Sequence, residues 1–202
     1  MASPGLTSVD TICDRVALLI ATYIDTEVDL IDTRNNTIAG ASADNSFTTP
    51  SVPAAAVQVY VDDLPGQSIR IIVTDEGSQT VGEFTYYGQG MGAAPPSAHP
   101  TIDRQHRIGV AILAANTGGA QTTAGSTSTF HARRVCNRIA DAVRIIMARY
   151  PQLDIPSLSK TAICAGVTLA NDARAAQVTE DDHQLYAREI TYDVRTIEDR
   201  ST

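Results

Sequence analysis

Lysine is almost missing from this sequence: Lys160 stands alone against 14 arginines. Cysteine is scarce too. Cys13, Cys136 and Cys164 are odd in number, far apart and set among apolar neighbours, so no disulfide framework or metal spacing is implied. They read as small buried hydrophobes in a reducing compartment. Long apolar runs are absent. VALLIA at 16–21 and IGVAILAA at 108–115 are far too short to cross a bilayer. The opening MASPGLTS has no cationic stretch leading into an apolar core, so no signal peptide is read there. The expectation is a soluble protein made in the cytoplasm, with no membrane partner.

Positive charge is also in deficit, with a formal net charge of −8 over 202 residues. General affinity for nucleic acid needs clustered cations against phosphate, and interleaved aromatics or lysines for single strands; both are lacking. The exception is local. Residues 130–149 carry Arg133, Arg134, Arg138, Arg144 and Arg149 against the single acid Asp141, which leaves the remainder more acidic than the whole. Opposite charges on separate faces suit copies that dock side by side.

Elements follow from periodicity. Residues 8–24 put Val9, Ile12, Cys13, Val16, Ile20 and Tyr23 on one helical stripe, with Thr7 and Asp10 at capping-box spacing. From Asp25 to Pro53 the period collapses into a polar, Gly/Pro-punctuated stretch. AVQVYVDD (56–63) and SIRIIVTD (68–75) flank LPGQ and read as a hairpin, followed by a third strand at 79–88. GQGMGAAPPSAHP (88–100) suits no regular element, and 105–116 is an apolar strand for the inside of a sheet. A helix over 127–150 presents Val135, Ile139, Ala142, Val143, Ile146 and Tyr150 on one side and its arginines outward, until Pro151 stops it. Strands at 158–171 and 185–199 close the chain; in the last, Ile190, Tyr192 and Val194 alternate with Glu189, Thr191, Asp193 and Arg195. The fold class is therefore α+β: a mixed, mostly antiparallel sheet with two helices on one face. One domain spans 1–202, with flexible arms or loops at 25–53, 88–100 and 117–126.

Motifs that could carry chemistry fail one by one. TGGAQTTAGSTS sits where a phosphate loop would, but no lysine follows Gly125. Ser157-Leu158-Ser159-Lys160 has the S-x-x-K spacing of serine acylases without their companion motifs. His99, His106, His131 and His183 have no partner at metal spacing, and TEDDH (179–183) lacks the glycine and alternation of a calcium loop, so it reads as a solvated turn. Asn35-Asn36-Thr37 is only a formal glycosylation sequon. No catalytic, cofactor or metal residue is assigned, and the protein is expected not to be an enzyme. An enzyme would have to assemble its site from dispersed residues such as His106, His131 and Asp141.

The layout resembles the tail terminator (tail-completion) proteins of long-tailed bacteriophages. The resemblance lies in the leading helix VDTICDRVALLIATYI, the central strand HRIGVAILAANT, the second helix STFHARRVCNRIADAVRIIMARYP and the closing strand LYAREITYDVRTIE. It covers most of the chain in element order and spacing and contains no residue signature. It implies a virion protein of the neck or tail, forming a homo-oligomeric ring, usually a hexamer. Such a ring caps the tail tube protein, meets the sheath in a contractile tail and offers a surface to the head-side connector or stopper protein. DNA would only pass through its lumen. Arg133, Arg134, Arg138 and Arg144 are then expected at the subunit interface, against acids of a neighbour. The alternatives are another neck, adaptor or baseplate component, or a nucleic-acid-binding module using the same helix.

Overall fold

A computed structural model describes residues 8–40, 47–60, 69–86, 99–115, 129–180 and 183–199. The first helix, α1 (Val9–Ile38), starts at Ser8, whose hydroxyl accepts from the Thr11 amide at 3.2 Å. Ser8 is thus the cap; Thr7, expected in that role, lies outside the described residues. The helix does not stop near Ile24 as the periodicity suggested. Val28 and Ile31 continue its buried stripe, and Glu27 and Asp32 are buried beside them. Two acids on the core side made that stretch look polar, and tertiary partners, described below, make them tolerable there.

The chain then returns along α1. Asn36 exchanges hydrogen bonds with the Phe47 backbone at 2.8 and 3.1 Å, and Thr49 Oγ1 donates to Asp32 at 3.1 Å. Asp25 accepts from Ser51 Oγ and from the Val52 amide, each at 2.9 Å. The expected open arm over 25–53 is therefore corrected: 25–38 are helix, and 47–53 are tied to that helix by its own polar side chains. The expected loop 117–126 lies outside the described residues, as does 88–98; His99 and Pro100 already belong to a strand.

Among the described residues six strands form one open sheet: β1 (Val57–Val59), β2 (Ile69–Tyr86), β3 (His99–Ala115), β4 (Gly166–Asp172), β5 (Ala176–Glu180) and β6 (His183–Asp199). The order is β1-β2-β3-β6-β4, with β5 also on β6. The hairpin expected across LPGQ is not formed, because β1 runs parallel to β2, with Val57 opposite Ile71. Tyr60, at φ 53, turns out of the ladder directly after β1. The two strands expected at 68–75 and 79–88 are one, bent at bulges between Asp75 and Gly77 and between Thr80 and Gly82. The last pair of strands also differs from expectation. Residues 156–158 form a short 3-10 turn that ends at Ser159 in the left-handed region, so β4 begins only at Gly166. Thr179 and Glu180 are strand, because β5 pairs with β6 up to Glu180 opposite His183.

The second helix, α2 (Thr129–Arg149), lies over β3 and β6 and beside α1, which covers β1 and β2. Both helices pack on the same face, so the architecture is α+β, with a mixed, mostly antiparallel sheet. Val135, Ile139, Ala142, Val143 and Ile146 meet Ile108, Val110, Ile112, Ile190 and Val194 in one apolar core. Full burial of each such aliphatic contributes roughly 1.5–3 kcal/mol. Ile139 and Ile146 are wholly inaccessible to solvent. Ile139→Ala is expected to lower the unfolding free energy by about 2–5 kcal/mol, measured by urea denaturation; a loss under about 1 kcal/mol would show that this helix does not close the core.

Candidate functional site

The arginines of α2 were expected outside, waiting for another molecule. Most are spent on their own chain. Arg138 is turned inward: its Nε lies 3.6 Å from Asp32 Oδ1, and an N–H donates to the Ile31 carbonyl at 3.3 Å. Burial pulls the Arg138 pKa below its usual value, and the Asp32 carboxylate works against that shift. Arg149 pairs with the buried Glu27. Arg134 places its guanidinium 4.8 Å from the centre of the Phe47 ring. Positions 138 and 149 run down α2 while their partners Asp32 and Glu27 run back up α1, and Phe47, under Arg134, is tied to Asn36 still further along; the helices are therefore antiparallel.

The other flank of α2 faces β4 and β6. Arg144 donates to Asp172 at 2.7 Å and to Asp141 at 2.8 Å. Arg188 of β6 forks onto the same Asp172 at 2.8 Å and reaches Asn137 of α2 at 3.0 Å. The hydrogen bond to Asp172 raises the Arg144 pKa. One carboxylate thus ties the edge strand, its neighbour and the helix together. Of the four arginines expected at a subunit interface, Arg138 and Arg144 are held by carboxylates of their own chain and Arg134 by an aromatic ring. Arg133 is exposed. The missed partners were legible only as acids inside an apolar stripe, Glu27 and Asp32 between Ile24 and Ile31.

The face of the sheet away from the helices is polar at its centre. The bulge after Asp75 carries Glu76 over Gly109, where an added Cβ would collide with Glu76 Oε1. Thr191 Oγ1 lies 3.5 Å from both carboxylate oxygens. Burial, then the hydrogen bond and charge of Glu189, raise the Glu76 pKa, opposed by Thr191 and Arg107. Beside it Arg107 pairs with Asp193 at 3.1 Å, and Arg195 grips the buried Asp103 at 2.8 Å. Two shallow clefts, ≈ 210 and ≈ 300 Å³, share Gln105 and Asp193 along this face.

Of the dispersed residues named for an enzyme, His106 and Asp141 have separate engagements. His106 is buried and hydrogen-bonded to Thr196 at 3.1 Å, while Asp141 pairs with Arg144. The side chains of His99, His131 and His183 lie outside what is described. Ser157, from the S-x-x-K match, bonds the Tyr23 hydroxyl at 2.7 Å. Burial pushes the thiol of Cys136 up to about 12 and that of Cys164 up to about 11. Neither is a nucleophile near neutral pH. Among the described residues no group of His, Cys, Asp and Glu could hold a metal ion. Among them, too, no helix is long and apolar enough to cross a membrane. No protein-family model matches the sequence, and no curated protein matches it.

Two outcomes follow. Arg138→Ala strands the Asp32 carboxylate in the core and is expected to cost about 3 kcal/mol of stability, whereas Arg133→Ala should change it by no more than about 0.5 kcal/mol; equal effects in thermal melts would contradict this division. For Glu76, the folded pKa is raised, so the native state binds the proton more tightly than the unfolded chain. Its contribution is present below the unfolded carboxyl pKa and is lost as pH rises through the folded value. Glu76→Gln should therefore flatten the fall in melting temperature as pH rises above about 4, and an unchanged slope would remove Glu76 as its source.

Proposed function

We propose that this protein is a structural subunit of a bacteriophage neck or tail. In this reading its copies form a ring, hexameric in the family it resembles, that caps the tail tube and joins it to the head-side connector. The observation that carries the reading is the order of elements around one sheet. A leading helix, a long central strand at β3, a second helix over it and a closing strand at β6 follow in the sequence by which the chain resembles tail terminator proteins. Carboxylates shared between elements support it further, since they stiffen the fold. Asp172 is shared by two guanidiniums, and Asp103 and Asp193 each hold one.

The charge of α2 takes a different meaning from the one expected. With Arg138 and Arg144 neutralised by carboxylates of the same chain, the helix offers phosphate far fewer cations than its sequence suggests. That suits a conduit through which DNA must slide, and it weighs against a nucleic-acid-binding module. Light scattering on the purified protein, alone and with tails, tests the reading. A closed assembly of uniform mass that binds tail ends is expected, with duplex binding that is weak at about 0.15 M salt. A monomer at every concentration that ignores tails, or tight duplex binding that collapses steeply with salt, would overturn it.

A further inference from the structure

The sheet is open at both sides, and the two open edges match. On one side β1 covers β2 only from Ile71 to Val73; among the described residues no strand lies outside β2 beyond that point. Gly77–Thr80, the regular run between the two bulges of β2, is exposed. On the other side β4 is the outermost strand, and its regular run before the bulge, Gly166–Leu169, ends in the exposed Thr168 and Leu169. Unpaired edge backbone is a template for another strand.

Register and strand sense make the match specific. Gly166 lies level with Arg195, Arg195 with Gln105, and Gln105 with Gln79. Val167 is likewise level with Val194, His106 and Ser78, and Thr168 with Asp193, Arg107 and Gly77. The two free runs therefore stand at one height across the sheet. β2, β3, β6 and β4 alternate in direction, so β4 is antiparallel to β2. A second copy placed sideways in the same orientation would set its β2 beside β4 and continue the alternation. Contacts of this head-to-tail kind close a ring only if each copy adds rotation without a rise, which requires edges that are level. Exposed apolar side chains stand at both margins: Leu169 at 52% exposure on β4, and Tyr60 at 45% directly after β1.

We propose that the free run of β4 in one copy pairs antiparallel with the free run of β2 in the next, making the ring contact a continuation of the sheet. The inference rests on the ring reading above. The two bulges of β2 and the single bulge after Leu169 of β4 limit the pairing to a short matched stretch, so that the edge is selective for another copy of this chain.

Edge lysines test it, because they leave the strand folded and forbid a neighbour. One variant carries Thr168→Lys and Leu169→Lys; the other carries Ser78→Lys and Gln79→Lys. Each alone should melt like the parent and need at least about tenfold more protein to assemble. Mixed in equal amounts, they should form a dimer and stop, because one intact β4 edge meets one intact β2 edge. Hydrogen exchange on the parent gives a second readout: amides of 74–80 and 166–171 should gain protection on assembly. If either variant fails to fold, that protection decides alone. A parent that assembles with both edges still open to exchange, variants that assemble like the parent, or a mixture that stays monomeric would each overturn the sheet contact while leaving the ring standing. A parent that never assembles would overturn both.

Discussion

A buried carboxylate must find partners or lose its charge, and in this protein that constraint falls on Asp32. Its side chain is only 6% exposed. It takes hydrogen bonds from the amide and hydroxyl of Thr49 and faces the guanidinium of Arg138. Those contacts join α1, the segment that returns along it and α2. Three pieces of chain far apart in sequence are thus held in one register by one acid, and none of them could shift without stranding a charge away from water.

Much of the remaining architecture follows from the position this fixes for α2. With its Arg138 side held to α1 and its Arg144 side held to Asp172, the helix can present only its apolar stripe to the sheet. The stripe then covers β3 and β6, the two central strands that pair over most of their length. Charge thus orients what hydrophobic burial stabilises. It also leaves α2 fewer free cations than its sequence suggests, which bears on how the protein meets DNA and its own copies. The sheet is built outward from that centre, and its margins are left as short exposed runs on β2 and β4.

The elements with a pure period were legible in the sequence. The stripe from Val135 to Ile146 and the packed face of β6 at Ile190, Tyr192 and Val194 appear in the structure as read, though Thr191 of the opposite face is buried too, and α+β with two helices on one face follows from them. What failed were places where a polar residue does a buried job. Glu27 and Asp32 ended the expected helix fourteen residues early, at Ile24 instead of Ile38, because their partners lie in α2 and beyond Phe47. The parallel pairing of β1 was hidden because LPGQ has good turn chemistry, and local chemistry does not report strand direction. The arginine face was visible, but whether its partner was another subunit or the chain itself depends on contacts more than 100 residues away along the chain, as between Arg138 and Ile31.

The central claim is that the basic helix is answered by the acids of its own chain. A double-mutant cycle on Asp32→Asn and Arg138→Gln, read as unfolding free energies of the unassembled protein, tests it most directly. The account predicts that the two changes together cost clearly less than the sum of each alone, with a coupling of about 1.5 kcal/mol or more. Additive effects, with a coupling below about 0.5 kcal/mol, would contradict it and return Arg138 to the surface of the molecule.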